Sequence, residues 1–100
     1  MRAIAIARID KARPVLVLTR VPAIGRMTKV TVAPITSTVR GLSTEVPVGP
    51  RNGLDQACAV NCDNIRTIPR RALGRSIGLL FDDEEHRLAL AIANAFDLDL

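Results

Sequence analysis

The chain has no Trp, no Tyr and only two Phe among its 100 residues, so its core has to be aliphatic. It has one His, His86, which excludes a His–His acid–base nuclease and a Ser-His-Asp triad. It has two cysteines, Cys58 and Cys62, in "CAVNC". With one distant His they cannot build a tetrahedral zinc site. On a strand they would lie about 13 Å apart on one face, too far for a disulfide, so two buried free thiols are expected. The six glycines are scattered and form no phosphate-binding loop, and there is no spaced carboxylate cluster. No metal and no cofactor is expected. No apolar run approaches the ~18 residues of a membrane helix. The opening "MRAIAIARI" has too short an apolar stretch for a signal peptide, and a cytoplasmic protein without membrane attachment is expected.

What is present is aliphatic residues and arginine. Residues of apolar type make up 48% of the chain, enough for one domain spanning residues 1–100 that buries about 65% of its unfolded surface. Twelve of the fourteen cations are Arg, the better side chain for bidentate phosphate contacts. Residues 1–80 carry 13 Lys or Arg against 4 Asp or Glu. The last twenty residues reverse the balance, with one Arg against six acids.

The amino-terminal eighty residues read as short strands. "AIAIARI" (3–9), residues 14–19 and "KVTVAPI" (29–35) are the first three, the third breaking at Pro34. "TSTVRGL" (36–42) follows as strand end or loop. "STEVPV" (43–48) alternates an outward Glu45 with inward Val46 and Val48, and "GPRNG" (49–53) signals a hairpin into "ACAVNCD". "IRTIP" and "RSIGLL" are two further short strands around a helical turn at "PRRAL". Then the period changes. Leu88, Ala91, Ile92, Ala95 and Phe96 fall on one helical face, with Asp82 and Glu85 spaced as an N-terminal cap and His86 among solvated charges. The acidic run is a helix start. The fold class expected is mainly β, a small barrel of about seven short strands closed by a C-terminal helix.

The residues left for chemistry are arginines and hydroxyls. In "KARPVLVLTR" Arg13 stands at the mouth of a buried strand, seated by Pro14. "PITSTVRG" places Thr36, Ser37 and Thr38 at a strand end, with Arg40 four residues beyond Thr36. Hydroxyls there are ordinary turn formers. Together with Arg13 they make a polar, cationic site suited to a phosphodiester.

In ordered segments the sequence resembles the MazF/PemK toxins of bacterial toxin–antitoxin systems. These segments are "ARPVLVLTR", "VTVAPITSTVRGLSTEVPV", "GL…AVNCDNIRTIP", "LGRSIGLL" and a closing helix. They cover essentially the whole chain, and the short amino-terminal loop looks most like a mycobacterial branch. The resemblance implies an SH3-like barrel, a homodimer and a metal-independent endoribonuclease that cuts single-stranded RNA at short sequences. It implies neutralisation by a cognate MazE-like antitoxin whose flexible tail covers the RNA groove. The family's catalytic arginine falls on Arg13 and its catalytic threonine on Thr36. Ser37, Arg40, Asp63 and Arg66 are the further candidates for RNA contact. Arginine planes would replace the missing aromatic platforms.

The chain also departs from the family pattern. Its first strand reads "IAI" where members often carry Trp, and only "DKA" separates Ile9 from Arg13. Asp63 lies where some members have an Arg-x-Asp pair, without the arginine. A different class of function fits these departures: a non-catalytic small barrel that binds RNA or a protein tail.

Overall fold

A computed structural model describes residues 1–99, apart from the side chains of Val21 and Pro22. Alternating apolar residues in the amino-terminal third form β1 (Arg2–Arg8), β2 (Ala12–Val17) and β3 (Lys29–Thr36). A four-residue helix that the sequence pattern did not signal, α1 (Val21–Ile24), joins β2 to β3. Then come β4 (Glu45–Val48), β5 (Cys58–Asn61), β6 (Arg66–Pro69), β7 (Leu73–Leu80) and the closing helix α2 (Glu85–Ala95). The helical turn expected between β6 and β7 is a single 3-10 turn, Arg70–Ala72.

The strands are all antiparallel, ordered β4-β5-β3-β2-β1-β7, with β6 also on β3. The strand β3 is the pivot. Its first half, Lys29–Val32, pairs with β6, and its last two residues, Ile35 and Thr36, pair with β5. One strand serving two partners on the same edge must bend, and the sheet curls into a half-barrel. The strand expected over 29–35 runs to Thr36, its last residue, and the break expected at Pro34 is absent, because Pro34 sits where β3 changes partner and a missing N–H is tolerated there.

Two aliphatic clusters hold the sheet. Ile4, Leu16, Ala33, Val46, Val60 and Leu80 pack with Leu88 and Ala91 of α2. Ala7, Val15, Val30, Val32 and Ile68 form the other cluster, against which Ile24 of α1 packs. Each Val, Leu or Ile among them contributes about 1.5–3 kcal/mol when fully buried. The helical face is shorter than the period suggests. The helix stops at Ala95, and Phe96 is 57% exposed.

The cap of α2 also differs. Asp82–Glu84 forms a 3-10 turn, and Glu84 accepts the Phe81 N–H at 2.9 Å. Asp82 instead holds the amino terminus at 2.7 Å, and Glu85 pairs with Arg2 at 2.7 Å. The acids expected to cap the helix are thus used to tie β1 to it.

Glu45, expected to face outward, is 5% exposed. Its carboxylate accepts the N–H groups of Arg40 and Leu42, each at 3.1 Å, so it pins the loop before β4. The hairpin signalled by "GPRNG" forms, with Val48 opposite Cys58. Within it Asn52 is buried, accepting the Gly49 N–H at 3.0 Å and donating to the Leu79 carbonyl and to Glu84. Gly53 adopts φ 88°, and a Cβ at Gly78 would run into the Asn52 carbonyl, so loop and β7 touch backbone to backbone.

Cys58 and Cys62 are buried free thiols, as expected. Burial pushes the Cys62 thiol up to about 11, with the neighbouring Asp63 charge adding to the effect. His86 is exposed on α2. Among the described residues, no helix is long and apolar enough to cross a membrane.

Candidate active site

The position of Arg13 follows from strand register. Val15 of β2 pairs with Pro34 of β3. Two residues further toward the same end of the ladder stand Arg13 and Thr36. There β3 has already turned to β5, with Thr36 opposite Ala59, and the parting strands leave a groove open to solvent. The groove has a volume of about 1120 Å³, with Ile6, Pro14, Ile35 and Ile77 among its apolar residues.

Arg13, Thr36, Ser37, Asp63 and Arg66 all line this one groove. Arg40 does not. It lines an adjoining recess of about 200 Å³, which shares Thr36, Asn61, Asp63 and Asn64 with the groove.

Each side chain is seated locally. Pro14 holds the preceding residue in extended backbone, so Arg13 leaves the strand in a fixed direction. Its Nε lies 3.5 Å from Asp10 Oδ1, and both side chains are largely exposed. The Asp10 carboxyl is held below its ordinary value, chiefly by the Lys11 backbone N–H and then by its own, with the Arg13 charge adding to them. The Thr36 hydroxyl oxygen accepts the Thr38 N–H at 3.0 Å, which leaves the hydroxyl proton to be donated elsewhere. Asp63 accepts the Thr44 hydroxyl at 2.6 Å and donates its N–H to Asn61 Oδ1 at 3.0 Å. Arg66 lies on β6 opposite Val32 and is exposed.

Sequence reasoning missed other polar residues of the groove, among them Asp10, Asp55, Gln56, Asn61, Asn64 and Arg75. Asp10 had a legible signal, three residues before Arg13 in a short loop. Arg75 had none. It lies at a register shift between β1 and β7, where Ala5 pairs with Ser76 but Ala7 with Leu73. Such a bulge re-aims side chains in a way periodicity cannot show. The groove therefore holds three arginines and three aspartates rather than a uniform positive field. Any anion it binds is recognised at individual arginines. Among the described residues, no three His, Cys, Asp or Glu side chains gather as metal ligands.

A half-barrel of seven antiparallel strands with one C-terminal helix, bearing an arginine–hydroxyl groove where β2 and β3 part, defines a class of small β proteins. The chain belongs to the family described as PemK-like, MazF-like toxin of type II toxin–antitoxin system, whose pattern matches residues 5–96. It is a homologue of the endoribonuclease MazF3 of Mycobacterium tuberculosis, 62% identical over 99 residues that cover 99% of this chain and 96% of that one. The structure of the Mycobacterium tuberculosis toxin MazF-mt6 matches with a TM-score of 0.97 at 61% identity, covering 99% of this chain and all of that one. A mycobacterial endoribonuclease solved in complex with its cognate antitoxin matches with a TM-score of 0.85 at 25% identity, covering 98% and 94% of the two chains. The fold and family implied by the sequence segments are those found, and the chain is a MazF3-like endoribonuclease toxin.

Proposed function

We propose that the chain cuts single-stranded RNA by transesterification, with the ribose 2′-OH as nucleophile. The 2′ oxygen gives its proton to solvent water and attacks the adjacent phosphorus, while the bond from phosphorus to the 5′ oxygen breaks and that oxygen is protonated from solvent. The products are a 2′,3′-cyclic phosphate and a 5′-OH. Arg13 stabilises the charge that builds on the phosphorane, and Thr36 donates a hydrogen bond from its hydroxyl to a phosphate oxygen. Arginine's pKa above ~12 makes its role electrostatic rather than that of an acid. Ser37, Asp63 and Arg66 contact the strand along the groove, and Arg40 contacts it beside the groove.

The observation that carries this reading is the shared register of Arg13 and Thr36 at the mouth of one open groove. A phosphodiester lying there meets a cation from one strand and a hydroxyl donor from the next. The protein acts in the cytoplasm as a homodimer, and a cognate MazE-like antitoxin silences it by laying a flexible tail over the same groove. Family membership and the solved relative with its antitoxin support this part of the reading.

Purified protein incubated with a mixed single-stranded RNA pool, followed by sequencing of the ends, tests the activity. Discrete cut sites ending in cyclic phosphate are expected. Intact RNA with shifted mobility would make the protein a binding module instead. Expression without antitoxin is expected to arrest growth.

A further inference from the structure

The recess beside the groove shares Thr36 and Asp63 with it, and its remaining wall, Asn61 among it, has no part in the cleavage step just described. Its volume is about 200 Å³ against about 1120 Å³ for the groove, room for one small group and not for a length of strand. Thr36 lines both cavities, so whatever enters the recess lies next to the phosphate held at Thr36.

Two residues of its wall have side chains of settled orientation, Asn61 and Asp63. Asn61 uses Oδ1 to accept the Asp63 N–H, so its remaining polar atoms are the two amide protons on Nδ2. Asp63 spends Oδ2 on the Thr44 hydroxyl and keeps Oδ1 as an acceptor. The backbone of Arg40 is tied to the buried Glu45 carboxylate at 3.1 Å, and among the described residues its guanidinium forms no ion pair. The chain has no Tyr or Trp. Phe81 lies 4.6 Å from the Arg51 guanidinium, and neither Phe81 nor Phe96 lines the groove or the recess. Among the residues lining the recess, Arg40 carries the planar group best suited to stack on an unstacked base.

We propose that this recess is a base subsite. It takes one unstacked nucleobase of the nucleotide flanking the scissile phosphate, with Arg40 stacking on its face and Asn61 donating a hydrogen bond to an acceptor on its edge. Asn61 is then a specificity-determining residue of the chain. The inference rests on the RNA-cleavage reading above and adds where one base of the cut sequence is read.

The test is the cleavage profile of a single-stranded RNA pool with randomised positions, normalised to total cutting. Asn61→Asp keeps an oxygen for the Asp63 N–H but replaces the outward donor with an acceptor. Its preference at one position next to the cut is expected to change by about tenfold, with the other positions unchanged. Arg40→Lys keeps the charge and removes the plane, and is expected to relax the same position. Normalisation makes the readout blind to a uniform loss of affinity. Profiles identical to wild type in both variants, or relaxed equally at every position, would overturn the base subsite alone. Failure of the wild-type protein to cut any RNA would overturn the cleavage reading, and the subsite with it.

Discussion

Arg13 and Thr36 stand two residues beyond the paired Val15 and Pro34 on neighbouring antiparallel strands, so the β2–β3 register itself brings them to one groove. Neither depends on a long side-chain network for its position. The expected consequence is that each can be removed without loss of the fold. Arg13→Ala is expected to lower cleavage about 10²–10³-fold, the scale of losing one transition-state donor. Thr36→Ala is expected to lower it less. Circular dichroism is expected to show both variants folded, and wild-type cleavage by Arg13→Ala would refute the assignment.

The attacking group is expected to come from the substrate. Replacing the 2′-OH immediately 5′ of the cut by hydrogen is expected to abolish scission at that site, while binding persists because phosphates dominate affinity. A chelator is expected to leave the all-ribose control unaffected. Comparable cutting of the deoxy-substituted site would require an activated water and would end the cyclic-phosphate mechanism.

Asn52 ties the β4–β5 hairpin to β7 and to the turn before α2 through two hydrogen bonds, and closes the hairpin loop on itself with a third. Asn52→Ala leaves the Gly49 N–H without its acceptor and opens a gap in a buried site. A loss of about 2–3 kcal/mol is expected, seen as a fall in Tm on the order of 10 °C. Unchanged thermal unfolding would show that the hairpin is held by its backbone contacts alone.

Burial raises the folded-state value of the Cys62 thiol from an ordinary value of 9.0 to about 11. The folded protein therefore keeps its proton where the unfolded chain loses it. The stability from this site is fully present below about pH 9 and is lost as pH rises toward 11. Denaturant midpoints measured across that range are expected to fall for the wild type more steeply than for Cys62→Ala. Parallel slopes would remove Cys62 as the cause.

The strands were legible because their alternation of Val, Ile and Ala is a local property, and β1, β3, β6 and β7 fall close to where that pattern puts them. The closing helix was legible through its period, with Leu88 and Ala91 buried as expected. Glu45 was misread because alternation assigns a face, whereas its burial depends on two loop N–H groups that need an acceptor. Pro34 was misread for a related reason, since a proline ends a strand only where a ladder bond is demanded of it.

The amino-acid sequence by itself determined the seven strands and the closing helix, the family, and the pairing of an arginine at one strand mouth with a threonine at another strand end. These follow from periodicity and short segments, which are properties of neighbours along the chain. Only the tertiary structure decided that Asp10, Asn61 and Arg75 belong to the same groove, and that Arg40 belongs to a separate recess beside it. Those placements come from the change of partner along β3 and the bulge between β1 and β7. Both are set by long-range pairing, where residues far apart in sequence must share one ladder of hydrogen bonds.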